Sequence, residues 1–191
     1  MLKKRIVNIF IILGLLSFSV LAVEQVTPRN DIPGLTNFYK VSDSLYRGAQ
    51  PEVNGFAELK KIGIKTIINL RANHSDVEMI KGLGFQYINI PINTWDIDDK
   101  DVAVFLKVVL DPNNQPVFVH CQHGSDRTGT MAAIYRMYVQ NWPREKALKE
   151  LPVFGFHKIW LNLKMYLKKI DMKNLKSQVE KRGDVKIEFV K

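Results

Sequence analysis

The stretch that decides the fold is Pro116-Val117-Phe118-Val119-His120-Cys121-Gln122-His123-Gly124-Ser125-Asp126-Arg127-Thr128-Gly129. Pro116–His120 is a short, continuous apolar run, the pattern of a strand buried on both faces. A helix is predicted from about Arg127 to Gln140. Between them lies a short loop containing Gly124. A strand, a short loop and a helix N-terminus in that order can turn the loop amides inward around an anion. The helix adds free N–H groups and a partial positive charge. Phosphate-like groups bind readily at such a place.

Outward from this stretch, strands alternate with helices. Asn37–Val41 and Ser44–Arg47 read as a hairpin around Ser42-Asp43. Pro51 opens a helix to Lys61, with Gly63 as its stop. Lys65–Leu70 is a β-branched strand, followed by a short helix around Ser75–Gly82. Phe85–Ile90 is a strand stopped by Pro91. Asp98 or Asp99 caps a helix to about Leu110. Beyond the central helix, Pro143–Glu150 and His157–Ile170 read as helical, and Val185–Val190 reads either as a strand, from its alternation, or as a disordered end. The expected fold is therefore α/β: one domain around a mostly parallel sheet flanked by helices. Ligands bind beyond the carboxyl ends of such strands. Arg71, Asn93–Asp98 and the Cys121 loop all follow strands and are expected to meet there.

The chain has 191 residues and 46% apolar content, which suits one core rather than two. Residues 1–22 read as a signal peptide or uncleaved anchor. Met1–Arg5 is positive, Ile6–Ala22 is apolar apart from Asn8, Ser17 and Ser19, and Val20-Leu21-Ala22 suits cleavage. The apolar run is shorter than the ~20 residues of a spanning helix. Either way the folded part is expected outside the cytoplasm, periplasmic or secreted, with membrane contact only through a retained leader. Residues 23–36 read as a linker, 37–171 as the domain and 172–191 as a basic tail. The net charge of +9 includes Lys3, Lys4 and Arg5, so the remainder carries +6. Lysines gathered after Met165 read as a solvated face rather than a nucleic-acid surface, and no nucleic-acid partner is expected. The domain is expected as a monomer.

Cys121 is the single cysteine. An exported chain is free to use disulfides, but one thiol makes no internal bridge. By itself a lone cysteine reads as a small buried core residue. Its place at the start of an anion-binding loop reverses that reading, because the field that holds phosphate also favours a thiolate. A thiolate is a nucleophile that needs no separate base. Arg127, at the loop's end, can hold two phosphate oxygens and stabilise charge on a transferring phosphoryl group. Four scattered histidines and one cysteine give no metal-site spacing, so neither metal nor other cofactor is expected.

His120, Cys121, five residues, Arg127 and Thr128 resemble the loop of the protein tyrosine phosphatase superfamily. Leu45-Tyr46-Arg47-Gly48-Ala49-Gln50-Pro51 and Thr66–Arg71 are similar to small exported bacterial dual-specificity phosphatases and to atypical plant and fungal ones. The similarity spans about Phe38 to Ile170. It implies a metal-free, two-step mechanism. Cys121 attacks phosphorus and forms a phosphocysteine, an aspartate protonates the leaving oxygen and then activates water, Thr128 hydrogen-bonds the sulfur, and His120 orders the loop. Asp96, in the most loop-like position beside Trp95, is the first choice for that acid. Asp98 is the second because it competes as a helix cap, and Asp99 and Asp101 are further candidates. Gln122, His123, Gly124 and Ser125 are expected to lend backbone amides to substrate. Asp126 reads as a structural hydrogen bond inside the loop, or as a helper with protons or water. Arg71 reads equally as a second anion contact or a surface ion pair, Arg47 as structural, Trp95 as a substrate flank or core lid, and His74 and His157 as surface or packing residues. The expected partner is a phosphorylated protein. Alternatives are an inositol phosphate or other small phosphomonoester, a phosphate-recognition module without turnover, and a sulfurtransferase, whose loop closes one residue sooner. The loop lacks the lysine common in phosphatases of highly charged inositol lipids, which argues against that class.

Overall fold

The computed structural model describes residues 26–190. The leader expected over 1–22 lies outside the described residues. Among these, no helix is long and apolar enough to cross a membrane.

The hairpin forms as β1 (Tyr39–Lys40) and β2 (Leu45–Gly48). Helix α1 (Val53–Ile62) leads to β3 (Thr66–Arg71), and a single turn α2 (Val77–Ile80) to β4 (Phe85–Ile92). Helix α3 (Asp99–Leu110) precedes the central strand β5 (Val117–His120), and α4 (Arg127–Tyr138) follows the loop. Helices α5 (Arg144–Glu150), α6 (Leu161–Lys169) and α7 (Met172–Lys181), then β6 (Glu188–Val190), complete the chain. The sheet order is β1-β2-β5-β3-β4-β6. The four inner strands are parallel, and β1 and β6 are antiparallel edges.

Side chains alternate across β5 and divide the core. Val117 and Val119 face a large cluster with Phe105, Leu106 and Val109 of α3 and Met131 and Ile134 of α4, while Phe118 faces Phe56, Leu59 and Ile67 on the α1 side. His120 stacks on Phe118 and shares its face. Cys121, the next residue, is buried at the α4 side. Strand alternation thus sets the histidine behind the loop and the thiol inside it.

Several boundaries differ from expectation. Strand β4 continues through Pro91 to Ile92. The pairing with β3 shifts register between Asn69 and Arg71, so the proline lies at an irregularity, where a missing N–H is tolerated. The segment expected as a linker is held on the domain from Arg29 onward. Arg29 and Phe38 exchange backbone hydrogen bonds, Leu35 is buried, and Gly34 lies so close to Gly55 that a Cβ on Gly55 would sit 2.2 Å from the Gly34 carbonyl oxygen. The segment expected as a basic tail carries α7 and β6. Leu175 and Val179 of α7, one turn apart, are buried against the larger cluster, and Val190 is buried beside β4.

Candidate active site

The C-terminal ends of β3, β4 and β5 open into a cleft of about 520 Å³. Arg71, Asn93, Thr94, Trp95, Gln122, His123, Asp126 and Arg127 line it, together with His157, Ile159 and Trp160 from the turn before α6. The three segments expected to converge at the sheet edge do converge.

Among the described residues, no backbone N–H of 122–126 is donated to a protein acceptor, which leaves the loop amides available to an anion. Gly124 is at φ +71°, and a Cβ there would lie 2.5 Å from both Ala49 N and Gly48 C. Only glycine fits the loop this closely against the end of β2. Arg47 fixes the same point. It is 1% exposed, donates Nη2–H to the Gly124 carbonyl at 2.7 Å, approaches Glu150 at 3.6 Å and lies over the Phe154 ring. Burial pushes its pKa down to about 10, against the raising influence of Glu150 and Cys121. Arg47 is structural, as expected, and also places positive charge near the thiol. Asn37, expected only to begin a strand, donates its amide to the carbonyls of His123 and Phe154.

Behind the loop, His120 is fully buried. Its Nε2 pairs with Asp76 Oδ2 at 2.8 Å and its Nδ1 lies 3.2 Å from the Cys121 carbonyl oxygen. Gln50 donates Nε2–H to Asp76 Oδ1 and accepts Nη1–H from Arg71. Burial works to raise the Asp76 pKa, but hydrogen bonds and charge from His120, with help from Gln50, outweigh it and hold the carboxyl below its ordinary value. A chain of contacts therefore runs from Arg71 in the cleft, through Gln50 and Asp76, to the residue preceding the thiol. Among the described residues Arg71 makes no ion pair; it donates to Gln50 and lines the cleft.

Arg127 donates Nη1–H to the Ile92 carbonyl at 3.2 Å and, at 3.5 Å, to that of Leu70, while its buried Nε has no partner among the described residues. The strand ends thus hold one side of the guanidinium and leave the Nε side for an anion. Thr128 Oγ1 is buried and has no hydrogen-bond partner among the described residues, so the expected bond to the Cys121 sulfur is not made. Asp126 does not bond within its loop: its Oδ1 accepts the His157 backbone N–H at 2.8 Å, and its Oδ2 lies 2.9 Å from His157 Nδ1. His157, expected at the surface or in packing, is a cleft residue. It lies before α6, which begins four residues later than expected. His123, Asp126 and His157 bring one potential ligating atom each within 4.8 Å of one another, a grouping that spacing along the chain does not suggest.

The acid candidates separate clearly. Asp98 caps α3, its Oδ1 accepting the backbone N–H groups of Lys100 and Asp101. Asp99 accepts from the Tyr166 hydroxyl and the Gln178 amide. Asp101 is held above its ordinary value by burial and then by Asp98 and Asp96, with Arg182 opposing. Asp96 is exposed beside the cleft but is not among its lining residues. Trp95 is 71% exposed and stands against Trp160 at the rim, at 5.8 Å between rings, rather than covering the core.

Residues 33–188 match the family described as Tyrosine phosphatase family. The chain belongs to the tyrosine phosphatase family. Among similar members, the dual specificity protein phosphatase TpbA of Pseudomonas aeruginosa is 30% identical over 141 residues, which cover 71% of this chain and 64% of that one. The inositol diphosphatase DSP4 of Arabidopsis thaliana is 29% identical over 148 residues, or 73% and 74% of the two chains. A crystal structure of a cysteine-to-serine variant of Pseudomonas aeruginosa TpbA in complex with phosphotyrosine superposes with a TM-score of 0.69 at 25% identity, covering 81% of this chain and all of that one. The tyrosine phosphatase fold of this chain thus buries its single cysteine at the start of the loop whose residues Gln122, His123, Asp126 and Arg127 line the cleft.

Proposed function

We propose that this chain is a cysteine-dependent phosphomonoester hydrolase acting on phosphorylated protein, with dual specificity. The observation that carries the proposal is Cys121 at the base of an amide-lined loop, with the Nε side of Arg127 left without a protein partner. Cys121 Sγ attacks phosphorus in line with the leaving oxygen; the S–P bond forms as the P–O bond breaks. Loop amides and Arg127 stabilise the charge on the transferring group, where most of the catalysis of phosphoryl transfer lies. Asp96 gives its proton to the leaving oxygen, then takes one from the water that attacks the phosphocysteine. Its support is position: its carboxylate makes no hydrogen bond among the described residues and follows Asn93–Trp95 of the cleft wall, whereas Asp98 is occupied as a cap. Thr128 Oγ1, buried without a partner, is the hydroxyl available to the departing sulfur. Trp95, Trp160 and Ile159 give the cleft an apolar wall suited to an aromatic ring beside the phosphate.

A second reading, an inositol-phosphate substrate, is favoured by the similarity to DSP4 and by Arg71 in the same cleft. Initial rates on a phosphotyrosine peptide, a phosphoserine peptide and an inositol pyrophosphate separate the two. The first reading expects the peptides to be turned over faster, with Cys121→Ser at least about a thousandfold slower on each. Faster turnover of the inositol compound would select the second. Export is proposed from the leader pattern of residues 1–22; the mass of the chain recovered from a cell-envelope fraction tests whether it is cleaved after Ala22. A monomer is proposed too, and sedimentation tests it.

A further inference from the structure

The side chains of His123, Asp126 and His157 have no step in the proposed reaction, yet they stand together in the cleft lining. Asp126 is the fixed member: its side chain is 8% exposed and its carboxylate is oriented by the His157 backbone N–H. The two histidines are exposed, with ring centroids 5.7 Å apart. His157 Nδ1 already lies 2.9 Å from Asp126 Oδ2, and one ligating atom from each of the three falls within 4.8 Å of the others. Tetrahedral ligands about 2.1 Å from a zinc-sized ion stand about 3.4 Å from one another. His157 Nδ1 and Asp126 Oδ2 already fall inside that separation, and rotation of the exposed His123 ring is the movement the site requires. Two imidazoles and one carboxylate are a borderline nitrogen–oxygen set, suited to zinc and its late first-row neighbours. Magnesium and calcium demand oxygen ligands, and copper(I) demands sulfur. The backbone N–H on Asp126 supplies the outer hydrogen bond that orients a ligating carboxylate.

We propose that His123, Asp126 and His157 form a binding site for a zinc-class divalent ion, and that its occupancy reversibly blocks the cleft. An ion held by these three draws two rings from opposite sides across the mouth. It also sits on the residue adjoining Arg127, in the path of an entering phosphate. Substrate and ion therefore compete. The blocking half rests on the phosphatase reading; the binding half does not.

Calorimetric titration of zinc chloride into the full chain carrying Cys121→Ser tests binding without turnover and without the thiol as a competing ligand. One ion per chain is expected, with no binding of magnesium. His123→Gln in the same background is expected to weaken affinity at least about tenfold. His123 is exposed, and a circular dichroism spectrum matching the parent confirms that its replacement leaves the fold intact. His157→Gln is expected to act alike. In the chain that keeps Cys121, zinc is expected to raise the apparent KM without changing kcat, to be reversed by EDTA, and to lose potency by the same factor in His123→Gln. Absence of binding to Cys121→Ser, or binding indifferent to both histidines, would overturn the site. Binding to Cys121→Ser with undiminished turnover in the zinc-loaded parent would overturn the block.

Discussion

Gly124→Ala isolates the contact that seats the loop. The new Cβ would lie 2.5 Å from Ala49 N and Gly48 C and 2.6 Å from Gly48 O, all backbone atoms that cannot rotate away. Ordinary carbon contacts begin near 3.5 Å, so the loop must retreat by about 1 Å. A displacement of that size at a reacting centre costs roughly 100-fold in rate. The same retreat stretches the 2.7 Å bond from Arg47 to the Gly124 carbonyl, a charged hydrogen bond worth about 1.5–3 kcal/mol. Holding alanine at φ +71° costs a further ~1–2 kcal/mol. The expected sum is about 2.5–5 kcal/mol of stability, with kcat/KM on a phosphotyrosine peptide down about 100-fold. Gly82→Ala is the control. It is at φ +80° with nothing within 4 Å of its Cβ, so it should cost only the ~1–2 kcal/mol of backbone strain and leave activity unchanged. Urea denaturation and steady-state kinetics on both variants decide the matter. Equal effects of the two substitutions would refute the claim that the Gly48–Ala49 wall positions the loop.

Asp76→Asn should alter the acid limb of stability. The folded protein holds Asp76 below its ordinary value, so its stabilisation is complete above that value and is lost as pH falls through the folded one. Urea midpoints of the parent should therefore drop on acidification below about pH 4, and those of Asp76→Asn should drop less; superimposable acid limbs would contradict the pairing. Arg47→Met strands the buried loop carbonyl of Gly124 and removes one of the two arginines facing Glu150, and should cost about 3–5 kcal/mol. Arg47→Lys should fail to restore it, because a single ammonium cannot reproduce the fork that reaches both groups. Asp96→Asn should lower turnover of a phosphoserine peptide by roughly 100- to 10,000-fold and that of a nitrophenyl ester far less, since a good leaving group needs little protonation. Asp101→Asn should stay near the parent on both substrates; the reverse pattern would move the acid to Asp101.

The loop from His120 to Thr128 was legible because strand, glycine, nucleophile, arginine and helix start are consecutive in the chain. The parallel sheet was legible for the same local reason: β-branched runs alternate with amphipathic ones. What holds the loop was not. Asp76 acts on His120 from 44 residues upstream, Asn37 reaches the His123 carbonyl, and His157 meets Asp126 from 31 residues downstream. These pairings exist only once α2, the segment before β1 and the turn before α6 have packed, and none leaves a periodic trace. The charged end of the chain misled in a similar way. Composition pointed to a solvated tail, whereas Leu175 and Val179, with Met172 beside them, seat α7 on the core, and Gln178 ties it to Asp99 of α3. Pro91 read as a strand stop because the irregular pairing that accommodates it is a property of its neighbour β3.

The central claim is that Cys121 carries the phosphoryl group. Acid-quenched turnover of a phosphotyrosine peptide by Asp96→Asn, followed by mass spectrometry of the proteolysed chain, tests it directly. The account predicts a phosphate adduct on the peptide containing Cys121, formed at the rate of product release and absent from Cys121→Ser. Continued turnover in Cys121→Ser, or an adduct on another residue, would contradict it.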